Sequence, residues 1–106
     1  MSRNKNNNKP TKNDQGKAKI SLVYPPFIIE LAKALEHGDK KYGKGNWKQG
    51  LEPERILSAL LRHALKISEG QYVDKDSGLS HMAHITANAM MLTYLHIERG
   101  EKYNGF

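Results

Sequence analysis

The sequence predicts an all-α protein, a small bundle of three to four helices behind a disordered basic tail. Three observations carry that prediction. Apolar residues recur at three- and four-residue intervals in three separate stretches, the spacing of one helix face. Prolines open the first two stretches and glycines close them, the usual asymmetry of helix ends. The 106 residues make one domain, or one domain and a tail, since a typical domain takes roughly 100–200.

Residues 1–19 hold five Asn, five Lys and, after Met1, a single apolar residue, Ala18. Such a segment buries too little apolar area to offset its ordering entropy, so it is expected to be disordered. Residues 20–106 are expected to form one helical domain. Leu22, Val23 and Tyr24 form a short extended lead-in that Pro25-Pro26 stops. A first helix then runs to about Tyr42, with Phe27, Leu31, Ala34 and Leu35 inward and Glu30, Lys33, Glu36 and His37 on the other face. Residues 43–52 form a loop. Pro53 opens a second helix whose apolar arc is Ile56, Leu57, Leu60, Leu61, Ala64 and Ile67, ending at Gly70. After a polar link, Ser80 caps a third helix to about Arg99. That helix is apolar over most of its circumference, which places it at the centre of the bundle. Three helices of this size bury only a modest core, so a homo-oligomer formed through the third helix is expected.

The net charge of +6 resembles that of a nucleic-acid binder until the chain is divided. Residues 1–19 carry six Lys or Arg against one acid, a net +5, and the remainder carries eleven against ten, a net +1. The tail therefore reads as a solubilising segment, with at most weak, salt-sensitive attraction to nucleic acid. The chain has no Cys, which excludes disulfides, thiolate metal sites and a cysteine nucleophile. No apolar run approaches the roughly 20 residues that span a bilayer, and no apolar stretch follows the basic start as a secretory signal requires. A cytoplasmic, membrane-free location is expected.

The informative residues are polar ones where a purely structural helix would carry Leu. His63 lies at the edge of the second helix's buried arc, with Arg62 directed away. On the third helix His81, His84 and Asn88 share one face, just downstream of the Asp74-Lys75-Asp76-Ser77-Gly78 link. An antiparallel second helix brings His63 to the same end. Each residue has a structural reading: His63 as a hydrogen-bonded core-edge histidine, His81 as a solvated first-turn residue, the Asp pair as turn formers. The link also contains an Asp-x-Asp-x-Gly fragment of a calcium loop, but lacks the other ligands. Convergence of three His, one Asn and two Asp favours a functional pocket. A second concentration, Lys40-Lys41-Tyr42-Gly43-Lys44-Gly45-Asn46-Trp47, offers cations and glycine N–H groups for phosphate and aromatic faces for a base. It lacks P-loop spacing, and it reads equally as a helix C-terminus with Trp47 anchoring the loop.

The ordered series Lys41-Tyr42-Gly43, Asn46-Trp47, Arg62-His63, Gly70, Asp74, Ser77-Gly78, His81, His84 and Asn88 resembles the N-terminal domain of the phage dATP/dGTP diphosphohydrolases. The resemblance covers about residues 24–96. It implies a helical fold, a role in nucleotide chemistry and, with a phage origin, the host cytoplasm during infection. The all-α nucleotide pyrophosphohydrolases hold Mg²⁺ with clustered carboxylates, yet here Glu30 and Glu36 are six apart and the third helix has only Glu98. The ligand set therefore falls to the His/Asp group. The expected reaction is metal-dependent hydrolysis of dATP or dGTP to the monophosphate and pyrophosphate. Asp74, His81 and His84 would hold a divalent metal, Mg or Mn, and imidazole nitrogen favours Mn²⁺, Zn²⁺, Fe or Co²⁺ over Mg²⁺ alone. His63, Asp74 and His84 are the candidate catalytic residues; Lys41, Tyr42, Lys44, Asn46, Trp47, Arg62 and Asn88 are the candidate nucleotide contacts. The alternative is a non-catalytic binder that sequesters a nucleotide or a nucleotide-derived immune signal.

Overall fold

The computed structural model describes residues 15–99. The expected tail therefore lies largely outside the described residues; residues 15–19 are exposed turn and coil. Three helices form, α1 (Pro25–Tyr42), α2 (Pro53–Ser68) and α3 (His81–Arg99), with no strand among the described residues. The prolines stand in the first turns of α1 and α2, where a missing N–H has no helical partner to lose. The lead-in departs from expectation: Ile20–Leu22 form a single 3₁₀ turn, closed by Leu22 and Val23 N–H groups on the Lys19 and Ile20 carbonyls, and only Val23 and Tyr24 are extended.

α3 is central, and α1 and α2 pack on it rather than on each other. One layer of the core joins Ala34 of α1 to Ala83 and Ala87 of α3, and the other joins Ile56 of α2 to Leu92 and Leu95. Alanines at the α1–α3 crossing let the two backbones approach closely there. Beyond that crossing α1 stands apart from α2, and a cleft floored by α3 opens between them. With two partners, α3 cannot be covered all round. Met82 and Ile97 remain exposed, so its apolar circumference overstates its burial. Phe27 and Leu61, expected inward, are likewise about half exposed, because each lies at a margin that no fourth element covers.

Two connections set up the site. Gly43 and Gly45 follow α1 with positive φ, and Asp39 secures both: its carbonyl accepts the Gly43 N–H at 2.9 Å and its carboxylate the Gly45 N–H at 3.1 Å. A 3₁₀ turn, Asn46–Lys48, then places Trp47 edge-on to Tyr94, ring centroids 4.9 Å apart. The link between α2 and α3 folds back on itself through an antiparallel bridge from Val73 to Ser80. Its turn is closed by Gly78 N–H on the Asp74 carbonyl, and Ser80 Oγ accepts the Ala83 N–H as the α3 cap.

Candidate functional site

Four of the five histidines in the sequence meet at one end of the cleft, drawn from all three helices. His37 of α1 stands edge-on to His84 of α3, whose ring stacks on His63 of α2 at 4.7 Å and 9°. His63 Nδ1 lies 2.8 Å from His81 Nδ1. The antiparallel packing of α2 on α3 is what carries His63 to the start of α3. His81 is 5% exposed, so it is no solvated first-turn residue. Its burial follows from the folded-back link, where its N–H donates to the Tyr72 carbonyl at 2.8 Å.

Asp74 joins this group. Its Oδ2 accepts the Ser77 N–H at 3.0 Å and the Ser77 hydroxyl at 2.8 Å. Burial works to raise the Asp74 pKa, but the two Ser77 bonds and the neighbouring His84 and His63 outweigh it and hold the carboxyl below its ordinary value. Asp74 is thus an anion at neutral pH and accepts only. The Ser77 hydroxyl, having given its proton to Asp74, must accept from His84 Nε2 at 2.6 Å, as it does from Leu79 N–H. That fixes the neutral His84 as the Nε2–H tautomer with a bare Nδ1. Burial lowers the pKa of His84 despite the opposing Asp74, and burial followed by His84 and His81 lowers that of His63. Both rings are neutral near pH 7, the state that ligates metals and takes up protons.

Ligand atoms of His63, Asp74 and His81 all lie within 4.8 Å of one another, the one group of this kind among the described residues. Two imidazole nitrogens and a carboxylate oxygen fit a divalent transition metal and leave coordination positions open. This group shares Asp74 and His81 with the expected trio of Asp74, His81 and His84. His84 Nε2 is occupied by Ser77, and His63 supplies the second imidazole of the group. Glu36 and Asp39 stand three apart on α1, yet Glu36 does not line the cleft and Asp39 secures the glycine loop, so they form no carboxylate clamp.

The cleft is a cavity of about 610 Å³, within the range of small-molecule sites. His84, Asn88 and Met91 of α3 form its floor, spanning roughly 10 Å at 1.5 Å per residue. His63, Asp74 and His84 stand at one end; Tyr42, Asn46 and Trp47 line the other. Lys41 lines the α1 wall, and Arg62 lines the α2 wall instead of pointing away as expected, since the cleft reaches across the exposed shoulder of α2. Lys44 does not line it: the glycine turn that Asp39 secures leaves this side chain in solvent. Trp47 also serves the anchoring role, through Tyr94 and the Lys48 ammonium over both rings.

Three ionisable lining residues, His37, Arg55 and Asp39, lie outside the sequence-derived set. The sequence places His37 on the outer face of α1, and it gives Arg55 and Asp39 no pattern that sets them apart from solvated charges. The available signal was the spacing of His37 and Lys41, one helical turn apart. Asp76 Oδ2 receives both, Lys41 Nζ at 2.7 Å and His37 Nε2 at 3.3 Å. Lys41 and then His37 lower the Asp76 pKa, and Asp76 in return raises that of Lys41.

Fold and site together define a small helical domain built around a histidine–carboxylate cluster at the end of a cleft walled by Lys41, Arg55 and Arg62. The chain belongs to the family of dATP/dGTP diphosphohydrolase N-terminal domains, which it matches over residues 7–104. That match begins inside the segment expected to be a tail. Over 82 residues the chain is 44% identical to a dATP/dGTP diphosphohydrolase of Salmonella phage PMBT28, covering 77% of this chain and 28% of that protein. The chain thus spans under a third of its relative's length. No solved structure matches it. Among the described residues no helix is long and apolar enough to cross a membrane.

Proposed function

We propose that this domain binds purine deoxynucleoside triphosphates in the cleft and hydrolyses them to monophosphate and pyrophosphate. The observation that carries the reading is the gathering of His37, His63, His81, His84 and Asp74 at the end of a cavity walled by Lys41 and Arg62. His63, Asp74 and His81 would hold a divalent metal, which when bound supplies charge neutralisation at phosphate and polarises water. Arg62 offers a planar fork to phosphate oxygens and Lys41 a point charge. Tyr42 and Trp47 lie where the base would stack, and Asn88 on the floor between offers both a donor and an acceptor. His84 Nδ1, bare while Nε2–H is committed to Ser77, takes the proton of the attacking water. The water oxygen bonds the α-phosphorus, the bond to the bridging oxygen breaks, and pyrophosphate leaves with that electron pair. The resulting imidazolium is stabilised by Asp74 across the shared Ser77 hydroxyl.

One observation favours the second reading, binding without turnover. The metal-capable group contains a single carboxylate, where hydrolases of nucleoside triphosphates commonly cluster several. A homo-oligomer belongs to the same proposal, since Met82 and Ile97 leave an apolar stretch of α3 uncovered. The test is protein purified without chelator, analysed for metal, then incubated with each dNTP and Mn²⁺ or Mg²⁺. Pyrophosphate release from dATP or dGTP, abolished by EDTA, is the expected result. Thermal stabilisation that survives EDTA, with the nucleotide recovered intact, establishes the binder instead. Neither turnover nor stabilisation overturns both.

A further inference from the structure

A lysine and a histidine on α1 and an acid on the α2–α3 link form a second arrangement beside the metal-capable cluster. His37 and Lys41, one helical turn apart, converge on a single oxygen, Asp76 Oδ2, at 3.3 and 2.7 Å. Two nitrogen donors on one anionic oxygen is the geometry by which side chains grip a phosphate oxygen. The carboxylate that fills the position is 58% exposed, so rotation about its own side chain withdraws it into solvent. All three residues line the cleft, and Arg62 lines the wall opposite.

We infer that His37 and Lys41 form a phosphate subsite for which Asp76 is the built-in competitor, so that the cleft selects polyphosphates over single phosphates. This inference rests on the reading of the cleft as a phosphate-binding one. A polyphosphate long enough to keep contact with Arg62 while replacing the carboxylate brings more charge than Asp76 does. Orthophosphate brings too little to displace it. Asp76 therefore acts on specificity without touching the reacting atoms.

The test uses inorganic tripolyphosphate and orthophosphate in EDTA, by calorimetric titration of the full chain, so that neither metal nor turnover is involved. Exposed ion pairs of this kind correspond to about a two- to fivefold change in an equilibrium. Asp76→Asn and Asp76→Ala should each tighten tripolyphosphate by that factor and orthophosphate by more, which narrows the preference. His37→Ala in the Asp76→Asn background should remove the gain. Glu36→Gln, which deletes one negative charge outside the cleft, should change neither affinity. Equal gains from Glu36→Gln and Asp76→Asn would reduce the effect to bulk charge and overturn the inference. Unchanged affinity in both Asp76 variants, or no binding by any form, overturns it as well. The Proposed function fails separately, on absent nucleotide turnover and stabilisation.

Discussion

Replacing Asp74 separates its structural duty from its chemical one. Its Oδ2 takes both the N–H and the hydroxyl of Ser77, which closes the turn that leads into α3. Hydrogen bonds to a charged acceptor contribute about 1.5–3 kcal/mol each. The Asp74 side chain is 19% exposed, so water recovers part of that loss. Asp74→Ala should therefore cost about 2–4 kcal/mol, or roughly 10–25 °C in Tm for a domain of this size. Asp74→Asn keeps an acceptor oxygen of the same shape and should cost about 1 kcal/mol. Both variants remove the only carboxylate of the metal-capable group. Loss of groups that merely support a ligand weakens metal binding about 10–100-fold, so loss of the carboxylate itself should weaken Mn²⁺ or Zn²⁺ by at least about tenfold. Urea melts read the first effect and metal calorimetry the second. Wild-type stability in Asp74→Ala would show that the turn does not depend on this carboxylate. Wild-type metal affinity in Asp74→Asn would remove Asp74 from the ligand set.

Three further outcomes follow from the same geometry. His84→Leu should melt at or above the wild-type temperature, since Leu removes a buried imidazole while Ser77 keeps Asp74 and Leu79, and nucleotide binding or hydrolysis should fall at least about tenfold, or about 1.4 kcal/mol; normal activity, or a much lower Tm, counts against the assigned role. His63 and His84 have pKa values below the ordinary 6.5, so the unfolded chain binds protons that the folded one refuses, and stability should be full above about pH 7 and decline as pH falls through 6.5 toward 5. Thermal melts from pH 7.5 to 5.0 check this, a range that stays above ordinary carboxylate titration, and a flat profile refutes it. Ile56→Ala, at a residue 2% exposed, should cost about 2–4 kcal/mol in urea unfolding, and a loss under about 1 kcal/mol would mean that the α2–α3 layer is not the core.

How much of this was legible depends on the range of each interaction. Pro25, Pro53 and Ser80 mark helix starts through local backbone chemistry, and each stands where that chemistry requires. His81, His84 and Asn88 share a face because helix geometry alone puts them there. The antiparallel pairing of α2 with α3, expected from the sequence, brings His63 within reach. His37 was not legible, because its face of α1 looks solvent-directed until α3 is in place. Phe27 and Leu61 failed in the opposite sense. Periodicity marks an apolar face, but it does not supply an element to cover that face.

The sequence by itself determined the helices, their ends, the central position of α3 and the grouping of histidines near its start. All of these rest on contacts between residues close in the chain, or on the apolar excess of one helix. Tertiary structure alone decided that α1 crosses α3 at Ala34, Ala83 and Ala87 and then stands clear of α2. That divergence opens the cleft and turns Arg62 into its wall, while the packing of α2 on α3 sets His63 beside His81 and Asp74. The reason is physical: crossing geometry depends on how small side chains on two distant helices fit together, and no local spacing encodes it.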